Sequence, residues 1–361
     1  MSAPIIPNLL SLRGSSRGRG RGFGRGRGGS SASALSASAP GHDATIQATD
    51  TDAAVSRLSA VEIGYLQDPF AGLFVQPAPP GPTSRRLPII NRGTYTRTTA
   101  VDAIVNHFLA STTNQRRQIV SLGAGTDTRA LRLFSSNTHT NIAYHEIDFP
   151  TITQRKLHSV RTSPHLRTVL TVTTPPLTPP PSSWTATGSP ASSNNTLHCH
   201  GIDLRLLPST DTLPSLDPSL PTLLISECCL CYLAPAAASA VVAYFTLRLP
   251  RLGLVLYEPV KPDDPFGRMM VSNLAARRIE MPTLDVFPLP VDQERRLQQA
   301  GFDAARHMTI DKVWEKWVTP DEKERVDGLE GLDEVEEWLL LAGHYIVAWG
   351  WRGDGFDLPD T

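Results

Sequence analysis

Short apolar runs alternate with longer amphipathic stretches along most of this chain. Runs of about four to eight apolar residues that end in glycine or in a polar residue are typical of buried strands. Five such runs predict strands: Gln118–Leu122, Ile142–Ile147, Leu197–Ile202, Pro221–Ser226 and Leu252–Tyr257. Helices are predicted between them at Thr128–Phe134, Thr151–Arg161 and Pro235–Leu247. Because strands alternate with helices, the pattern indicates βαβ units, a parallel, doubly wound sheet and the α/β fold class.

The pattern changes after Tyr257, where helical periodicity dominates. Four further helices are predicted, followed by a late strand: Phe266–Arg278, Asp292–Ala300, Ile310–Val318, Asp333–Ala342 and then His344–Trp349. We therefore expect helical decoration before and inside the sheet.

Two low-complexity segments interrupt the chain, and they define our expected domain boundaries. Residues 1–45 predict a disordered tail, because Gly14–Gly41 is too rich in Gly, Ser and Arg to bury a core. Residues 173–196 are rich in Pro and Ser and predict a disordered insert, since proline blocks both helix and sheet hydrogen bonding. Residues 46–352 are then one folded domain, and residues 353–361 are a C-terminal tail.

The Arg-Gly tail is compatible with three roles. It could be an inert or regulatory tail, or it could contact RNA weakly through its charge and by stacking of Phe23. An acid-poor, Arg- and Ser-rich N-terminus is also typical of organelle transit peptides, although the repeated glycines oppose the amphipathic helix that such a peptide needs.

Composition excludes several classes of protein. The net charge of −1 over 361 residues indicates no global attraction to nucleic acid or acidic membranes. Three of the four cysteines lie together at Cys228, Cys229 and Cys231, without the spacing of zinc ligands or a nearby histidine. No stretch approaches the roughly 18 apolar residues that a membrane span needs. We expect a soluble protein of a reducing compartment, with no metal site.

A glycine-containing loop follows the first predicted strand, with the sequence Leu-Gly-Ala-Gly-Thr-Asp-Thr from residue 122. Gly123 and Gly125 would let the backbone approach a ligand that any Cβ would displace. Thr128 stands where the dinucleotide-binding fingerprint has its third glycine. This difference argues against a pyrophosphate and favours a ligand such as S-adenosylmethionine. The alternative is a simple glycine turn in which Asp127 or Thr128 caps the next helix.

Carboxylates follow the other predicted strands. Glu146 and Asp148 end the second strand, about 20 residues after the glycines, which is the spacing at which an acid binds ribose hydroxyls. Both side chains point to the same face, so both are candidates, and we prefer Asp148 because it is the terminal one. Asp148 would equally serve as an N-cap for the following helix. Asp203 and Glu227 end the third and fourth strands, where they are expected to face the same cleft.

Several blocks of sequence together resemble the leucine carboxyl methyltransferase family. The resemblance runs in order from Ile63-Gly64-Tyr65 to Trp351 and rests on these blocks: Asn91–Arg97, the loop from Gly123, Glu146–Pro150 with Arg155–Leu157, Pro221–Cys228 with Tyr232, and Tyr257–Val260 with Phe266–Gly267. It implies a Rossmann-like class I S-adenosylmethionine-dependent methyltransferase fold, with a doubly wound, mostly parallel sheet and helical insertions. It also implies methyl transfer to the C-terminal leucine carboxylate of type 2A protein phosphatase catalytic subunits.

The resemblance assigns roles to individual residues. The positions that match cofactor-binding places in the family are Arg97, Gly123, Asp148, Asp203, Leu204 and Glu227, and we add Gly125 as the second glycine of the loop. Arg57 stands where the family often has lysine, a change that keeps the charge but alters the geometry. For catalysis we expect Arg97 to hold the substrate carboxylate, and Tyr232 to donate a hydroxyl or to pack on the substrate leucine.

The sequence is compatible with other functions. A related carboxyl or O-methyltransferase could act on a tRNA base or a small molecule, and an RNA-binding protein could carry an inactive methyltransferase fold. Our expectation is a monomer in the cytoplasm that also enters the nucleus, with the C-terminal tail of the phosphatase subunit as its protein partner.

Overall fold

The computed structural model describes residues 40–75, 85–112, 115–136 and 138–354, together with residues 356 and 359. The helices in these ranges are α1 (Pro40–Ile63), α2 (Pro88–Ser111), α3 (Arg129–Ser135), α4 (Pro150–Thr162), α5 (Pro164–Val169), α6 (Pro235–Thr246), α7 (Pro265–Ala276), α8 (Pro282–Val286), α9 (Pro290–Gln299), α10 (Ile310–Lys316), α11 (Pro320–Asp327) and α12 (Val335–Ala342). The strands are β1 (Arg117–Leu122), β2 (Ile142–Asp148), β3 (Leu170–Val172), β4 (Trp184–Gly188), β5 (Thr196–Gly201), β6 (Thr222–Glu227), β7 (Leu252–Pro259), β8 (Ala304–Thr309) and β9 (Tyr345–Arg352).

All of these strands form one sheet in the order β3-β4-β5-β2-β1-β6-β7-β9-β8. The five central strands from β5 to β7 run parallel, whereas β9 pairs antiparallel with β7. The predicted α/β class with a doubly wound, mostly parallel sheet is confirmed. The strands after β1 are first added on one side of it, and from β6 onward they are added on the other side. Ligands of doubly wound sheets bind at this switch in strand order, beyond the carboxyl ends of the strands.

The sheet is buried on both faces, which explains why its central strands read as continuous apolar runs. Side chains alternate between the faces, so Ile119 packs in the core that includes Phe108 of α2, while its neighbour Val120 packs in the core that includes Phe245 of α6. Many of the helices begin at proline, whose fixed φ and missing N–H suit the first helical turn.

The prediction of a disordered insert over residues 173–196 is wrong in its C-terminal half. Residues 184–188 form β4, which pairs antiparallel with β5 on one side and with β3 on the other. Trp184 and Ala186 face the core, and the Trp184 indole donates a hydrogen bond to the Thr153 carbonyl oxygen at 3.0 Å. The period-two alternation of this short segment outweighs the prolines, most of which precede it.

The expected domain boundaries also need correction. Helix α1 begins at Pro40, so residues 40–45 are helical, while residues 1–39 and the roles expected for them lie outside the described residues. At the other end, Phe356 stacks on Phe108 at 5.6 Å between ring centroids, and the Trp349 indole donates to the Pro359 carbonyl oxygen at 3.0 Å. The described part of the segment after residue 352 therefore packs on the domain. Within the described ranges, no helix is both long enough and apolar enough to cross a membrane.

Three histidines stack on adjacent strands inside the sheet. The ring centroid of His145 in β2 lies 4.8 Å from that of His198 and 5.4 Å from that of His200, both in β5. Burial, together with the neighbouring histidines, lowers the pKa of His145 well below its usual value. Burial and His198 lower the pKa of His200 to about 4. At pH values between these lowered pKa values and the ordinary histidine pKa of about 6.5, the folded cluster stays neutral while the histidines of the unfolded chain bind protons.

We expect this cluster to make the protein less stable as the pH falls below about 6.5. A histidine whose folded pKa is depressed contributes stability above its unfolded pKa, and this contribution is lost as the pH falls, by at most about 1.4 kcal/mol per pH unit for each histidine. Urea unfolding of the native chain and of His200→Gln at a series of pH values should show a shallower acid loss in the variant. His158→Gln, which removes an exposed histidine from α4, is the matched control. Identical slopes for His200→Gln and the native chain would contradict this account.

Candidate functional site

The carboxyl ends of the central strands bring most of the sequence-predicted residues to one edge of the sheet. The Gly123 amide donates to the carbonyl oxygen of Ile147 at 2.8 Å, which fixes the glycine loop beside the end of β2. The Ile202 amide donates to the carbonyl oxygen of Asp148 at 2.9 Å, so Asp203 begins the loop next to Asp148. Glu227 ends β6 on the other side of β1.

Asp148 and Glu146, both candidates for the ribose contact, lie in different surroundings. Glu146 is buried and forms an ion pair with Lys156 at 2.7 Å. Asp148 instead accepts hydrogen bonds from the amides of Gly125 and Phe149, each at 2.7 Å. Burial raises the pKa of Asp148 to about 6, against the effect of these two hydrogen bonds. Of the two carboxylates, Asp148 is the one at the glycine loop.

The two glycines of the loop make room for atoms of the protein itself. Both have positive φ, +60° at Gly123 and +53° at Gly125, which disfavours any residue with a Cβ. A Cβ would lie 2.6 Å from the Cys229 sulfur at Gly123 and 2.5 Å from the Asp50 carboxylate at Gly125. The sequence led us to expect that these glycines make room for a ligand. In the structure, the side chains of Cys229 and Asp50 occupy that space.

Helix α1 lies across the ends of three neighbouring strands. Three of its side chains, spaced along one face of the helix, contact the segments that follow β5, β2 and β1: Asp43 with Arg205 at 2.8 Å, Gln47 with Thr151 in the first turn of α4 at 2.7 Å, and Asp50 with the Thr126 amide at 2.7 Å. Arg205 also pairs with Asp203. Sequence reasoning missed the α1 side chains, because their partners lie far away along the chain.

Arg57 lies further along α1, on the wall of the site. Its Nε donates to the Asp68 carboxylate, which also accepts from the Thr128 hydroxyl. Arg57 is one of the groups that lower the pKa of Asp127, so its charge reaches the glycine loop. Leu204, the other residue expected at the cofactor, is buried in the core on the α6 side of the sheet.

Arg97 on α2 is fixed at one edge and open at the other. Its Nε donates to Glu227 Oε2 at 2.7 Å, and its guanidinium carbon lies 4.6 Å from the Tyr257 ring centroid. Neither of its terminal nitrogens has a protein acceptor among the described residues, and 24% of the side chain is exposed. A planar guanidinium held in this way can offer its open edge to a carboxylate.

Aromatic side chains surround Arg97. Tyr232 ends a short 3-10 helix after β6, and its buried hydroxyl has no hydrogen-bond partner in the part of the chain that the structure describes. Burial raises the pKa of Tyr232 well above its usual value, and nearby Arg97 opposes this shift. Tyr345 stacks on Tyr257 at 5.4 Å. A buried, unpaired hydroxyl is costly unless a ligand or water satisfies it.

A buried ionic network connects the glycine loop to Arg97. The guanidinium of Arg129, with its side chain 2% exposed, contacts Asp102 at 2.7 Å, Asp127 at 2.6 Å and Glu227 at 2.9 Å. Burial raises the pKa of Glu227, but Arg97 and Arg129 outweigh this effect and lower it, so Glu227 is ionised at neutral pH. Sequence analysis identified Glu227 but not Arg129, which looked like an ordinary helix residue.

No group of three histidine, cysteine or acidic side chains in the described ranges is arranged to hold a metal ion. All four cysteines carry free thiols.

The chain was compared with protein families and with known proteins. The family model described as leucine carboxyl methyltransferase matches residues 45–246. The chain is 48% identical to leucine carboxyl methyltransferase 1 of Aspergillus fumigatus, with 99% of this chain and 96% of that protein covered. The corresponding protein of Emericella nidulans is 47% identical over 98% of this chain and 95% of its own length. Among solved structures, a putative methyltransferase from Thermobifida fusca has a TM-score of 0.47 and 12% identity, with 87% of this chain and 98% of that chain covered.

The contact between Gly125 and Asp50 can be tested by stability. Gly125→Ala should destabilise the fold, because alanine disfavours this backbone conformation by about 1–2 kcal/mol and its Cβ would also displace the Asp50 carboxylate. In an Asp50→Ala background the clash between the new Cβ and the Asp50 carboxylate disappears, and only the backbone strain remains. The free energy of unfolding should therefore fall less on Gly125→Ala in that background, and an equal loss in both backgrounds would refute the contact.

Proposed function

The chain belongs to the leucine carboxyl methyltransferase family, and we propose that it transfers a methyl group from S-adenosylmethionine to the C-terminal leucine carboxylate of type 2A protein phosphatase catalytic subunits. The observation that carries this proposal is the open edge of Arg97 beside a buried group of tyrosines. An arginine fork matches a carboxylate, and an apolar surface next to it suits the side chain of a terminal leucine.

The donor set at the strand ends is suited to S-adenosylmethionine. Asp148 has no cationic partner within ion-pair distance among the described residues, so its oxygens can accept the two hydroxyls of a ribose. Gly123 and Gly125 form the loop beside it, while Asp203 and Leu204 follow the next strand. When bound, the cofactor supplies a methyl group on a positively charged sulfur, and we assign Arg57, Arg97 and Glu227 to the cofactor side of the same cleft.

Arg97 is proposed to orient the substrate carboxylate. A terminal carboxyl group has a pKa near about 3.5, so it is already ionised at neutral pH and needs no general base. What the protein must provide is alignment, which can contribute about 7–11 kcal/mol in favourable cases. A very tight contact would stabilise the ground state as well, so an arginine that is anchored at one edge and partly exposed is the appropriate clamp.

Tyr232 is proposed as the second contact to the substrate. Its unpaired hydroxyl can donate to the other carboxylate oxygen, while the buried rings of Tyr257 and Tyr345, which stack on each other, make this side of Arg97 apolar. This arrangement would select a terminal leucine over a charged residue, because burial of a second unpaired charge beside the tyrosines is unfavourable.

Replacement of Arg97 distinguishes its proposed role in orienting the substrate carboxylate from its proposed role in binding the cofactor. Arg97→Ala should lower kcat about a hundredfold through lost alignment, with a smaller change in the dissociation constant for S-adenosylmethionine. Arg97→Lys keeps the charge without the fork and should recover only part of the rate. Methyl transfer and calorimetric cofactor binding are measured side by side. Equal losses in both would show that Arg97 serves mainly the cofactor.

The substrate proposal is tested with labelled cofactor and purified type 2A phosphatase catalytic subunit. We expect label to enter the intact subunit and to be absent from a version that lacks the final leucine. Residual labelling of the truncated subunit would show that another carboxylate is modified. Cofactor binding without any labelling would refute the phosphatase as the substrate and direct the search to small molecules or to carboxylates on RNA.

A further inference from the structure

Arg129 occupies a position that the proposed function does not yet use. Its three nitrogens contact three carboxylates on three separate parts of the chain: Asp102 on α2, Asp127 in the glycine loop and Glu227 at the end of β6. We propose that Arg129 is a positioning residue for the transfer site: it holds Glu227 so that Glu227 in turn fixes the guanidinium of Arg97. This inference rests on the proposed function for the roles of Glu227 and Arg97.

Glu227 binds two different arginines through its two carboxylate oxygens. Its Oε1 pairs with Arg129 at 2.9 Å, and its Oε2 accepts from Arg97 Nε at 2.7 Å. With both oxygens engaged, the carboxylate cannot rotate without breaking one ion pair. The plane of the Arg97 guanidinium is therefore set by a group that Arg129 holds in place.

Arg129 is itself anchored to the helix that carries Arg97. Asp102 lies five residues after Arg97 on α2 and contacts Arg129 Nε at 2.7 Å. Helix α2 is thus joined to the end of β6 directly through Arg97 and indirectly through Asp102 and Arg129. The ion pairs Arg97–Glu227, Glu227–Arg129 and Arg129–Asp102 form a closed ring that limits sliding of α2 against β6. Such sliding would move the open edge of Arg97.

The ionisation of Glu227 depends on the charged groups around it. The groups that face Glu227 are Arg97 from α2, Arg129 from α3, Asp127 from the glycine loop and Tyr257 from β7. Without Arg129, the buried Glu227 would keep one cationic partner, while Asp127 would lose its own closest cation and oppose ionisation of Glu227. Protonation of Glu227 would then occur at higher pH and would release the Nε of Arg97.

A structural role alone makes a different prediction from a positioning role. A salt bridge that only stabilises the fold changes the free energy of unfolding and leaves the pH dependence of cofactor binding as it was. A group that keeps Glu227 ionised controls that pH dependence. The discriminating measurement is therefore cofactor affinity as a function of pH, which requires no turnover.

The experiment uses the full chain and S-adenosylmethionine as the calorimetric probe. Glu227 is itself assigned to the cofactor side, so loss of its negative charge should weaken attraction for the positively charged sulfur of the cofactor. In Arg129→Gln the affinity should therefore fall as the pH is lowered through the raised pKa of Glu227, approaching about a further tenfold per pH unit beyond the fall that protonation of Asp148 causes in the native protein. Arg129→Lys, which keeps the charge, should shift this fall back toward the native profile. The matched control is Arg132→Gln, because Arg132 also pairs with Asp102, at 2.7 Å, but its ion pairs do not include Glu227.

Each outcome decides between the two roles. A further acid fall in Arg129→Gln that is absent from Arg132→Gln supports the positioning role. The same profile in both variants, or a native profile in both, overturns it. If Arg129→Gln does not fold, Arg129→Lys is compared with Arg132→Lys. A single ammonium cannot contact all three acids as the guanidinium does, so Arg129→Lys should recover the native profile only in part, and a residual shift in this variant alone is required. Native methylation is measured in parallel, so a protein that binds the cofactor but transfers no methyl group refutes the proposed substrate and leaves the role of Arg129 to be judged on binding.

Discussion

Three carboxylates lie together near the carboxyl edge of the sheet, and the guanidinium of Arg129 contacts all three, with Arg97 and Arg132 as further cations for Glu227 and Asp102. A buried charge without a partner is strongly destabilising, by about 3–5 kcal/mol, so none of these acids could remain ionised here without a cation. A planar fork can contact three acids at once, which a lysine ammonium cannot do with the same geometry. The positions of the glycine loop, of α2 and of the end of β6 are tied together through this one side chain, and the orientation of Arg97 follows from it.

The rest of the site is arranged around the same edge. Helix α1 crosses three strand ends and places Asp50 against Gly125, so the glycine loop is packed by the protein on its outer side. Arg97 and Tyr232 keep polar atoms without protein partners among the described residues, and they lie where the ionic network ends. Transfer of a methyl group to a carboxylate demands alignment more than acid–base chemistry. A rigid network that ends in an open arginine edge meets this demand.

Most of the fold could be predicted because the signals for its central elements are local. Continuous apolar runs that end in glycine or an acid indicated β1, β2, β6 and β7, since strands of a parallel sheet are buried on both faces. The prediction was wrong over residues 184–188, because prolines nearby suggested a disordered insert. The period-two alternation of this segment is a local signal for a strand, but the burial of Trp184 and the free edge of β5 that stabilise β4 are not visible in a local window.

The candidate site also combines features that are local in the sequence with features that depend on tertiary contacts. The sequence by itself determined the α/β sheet and the chemistry at its carboxyl edge, because strand periodicity and the residues that end each strand are local properties, and the family resemblance added the identity of Arg97. Only the tertiary structure shows that Asp148 accepts the Gly125 amide while Glu146 pairs with Lys156, since Lys156, ten residues beyond Glu146, reaches it only when α4 packs on the sheet. It also decided that Arg129 joins α2, the glycine loop and β6. Long-range ion pairs depend on which charged side chains come together when the chain folds, and local sequence patterns do not predict these pairings.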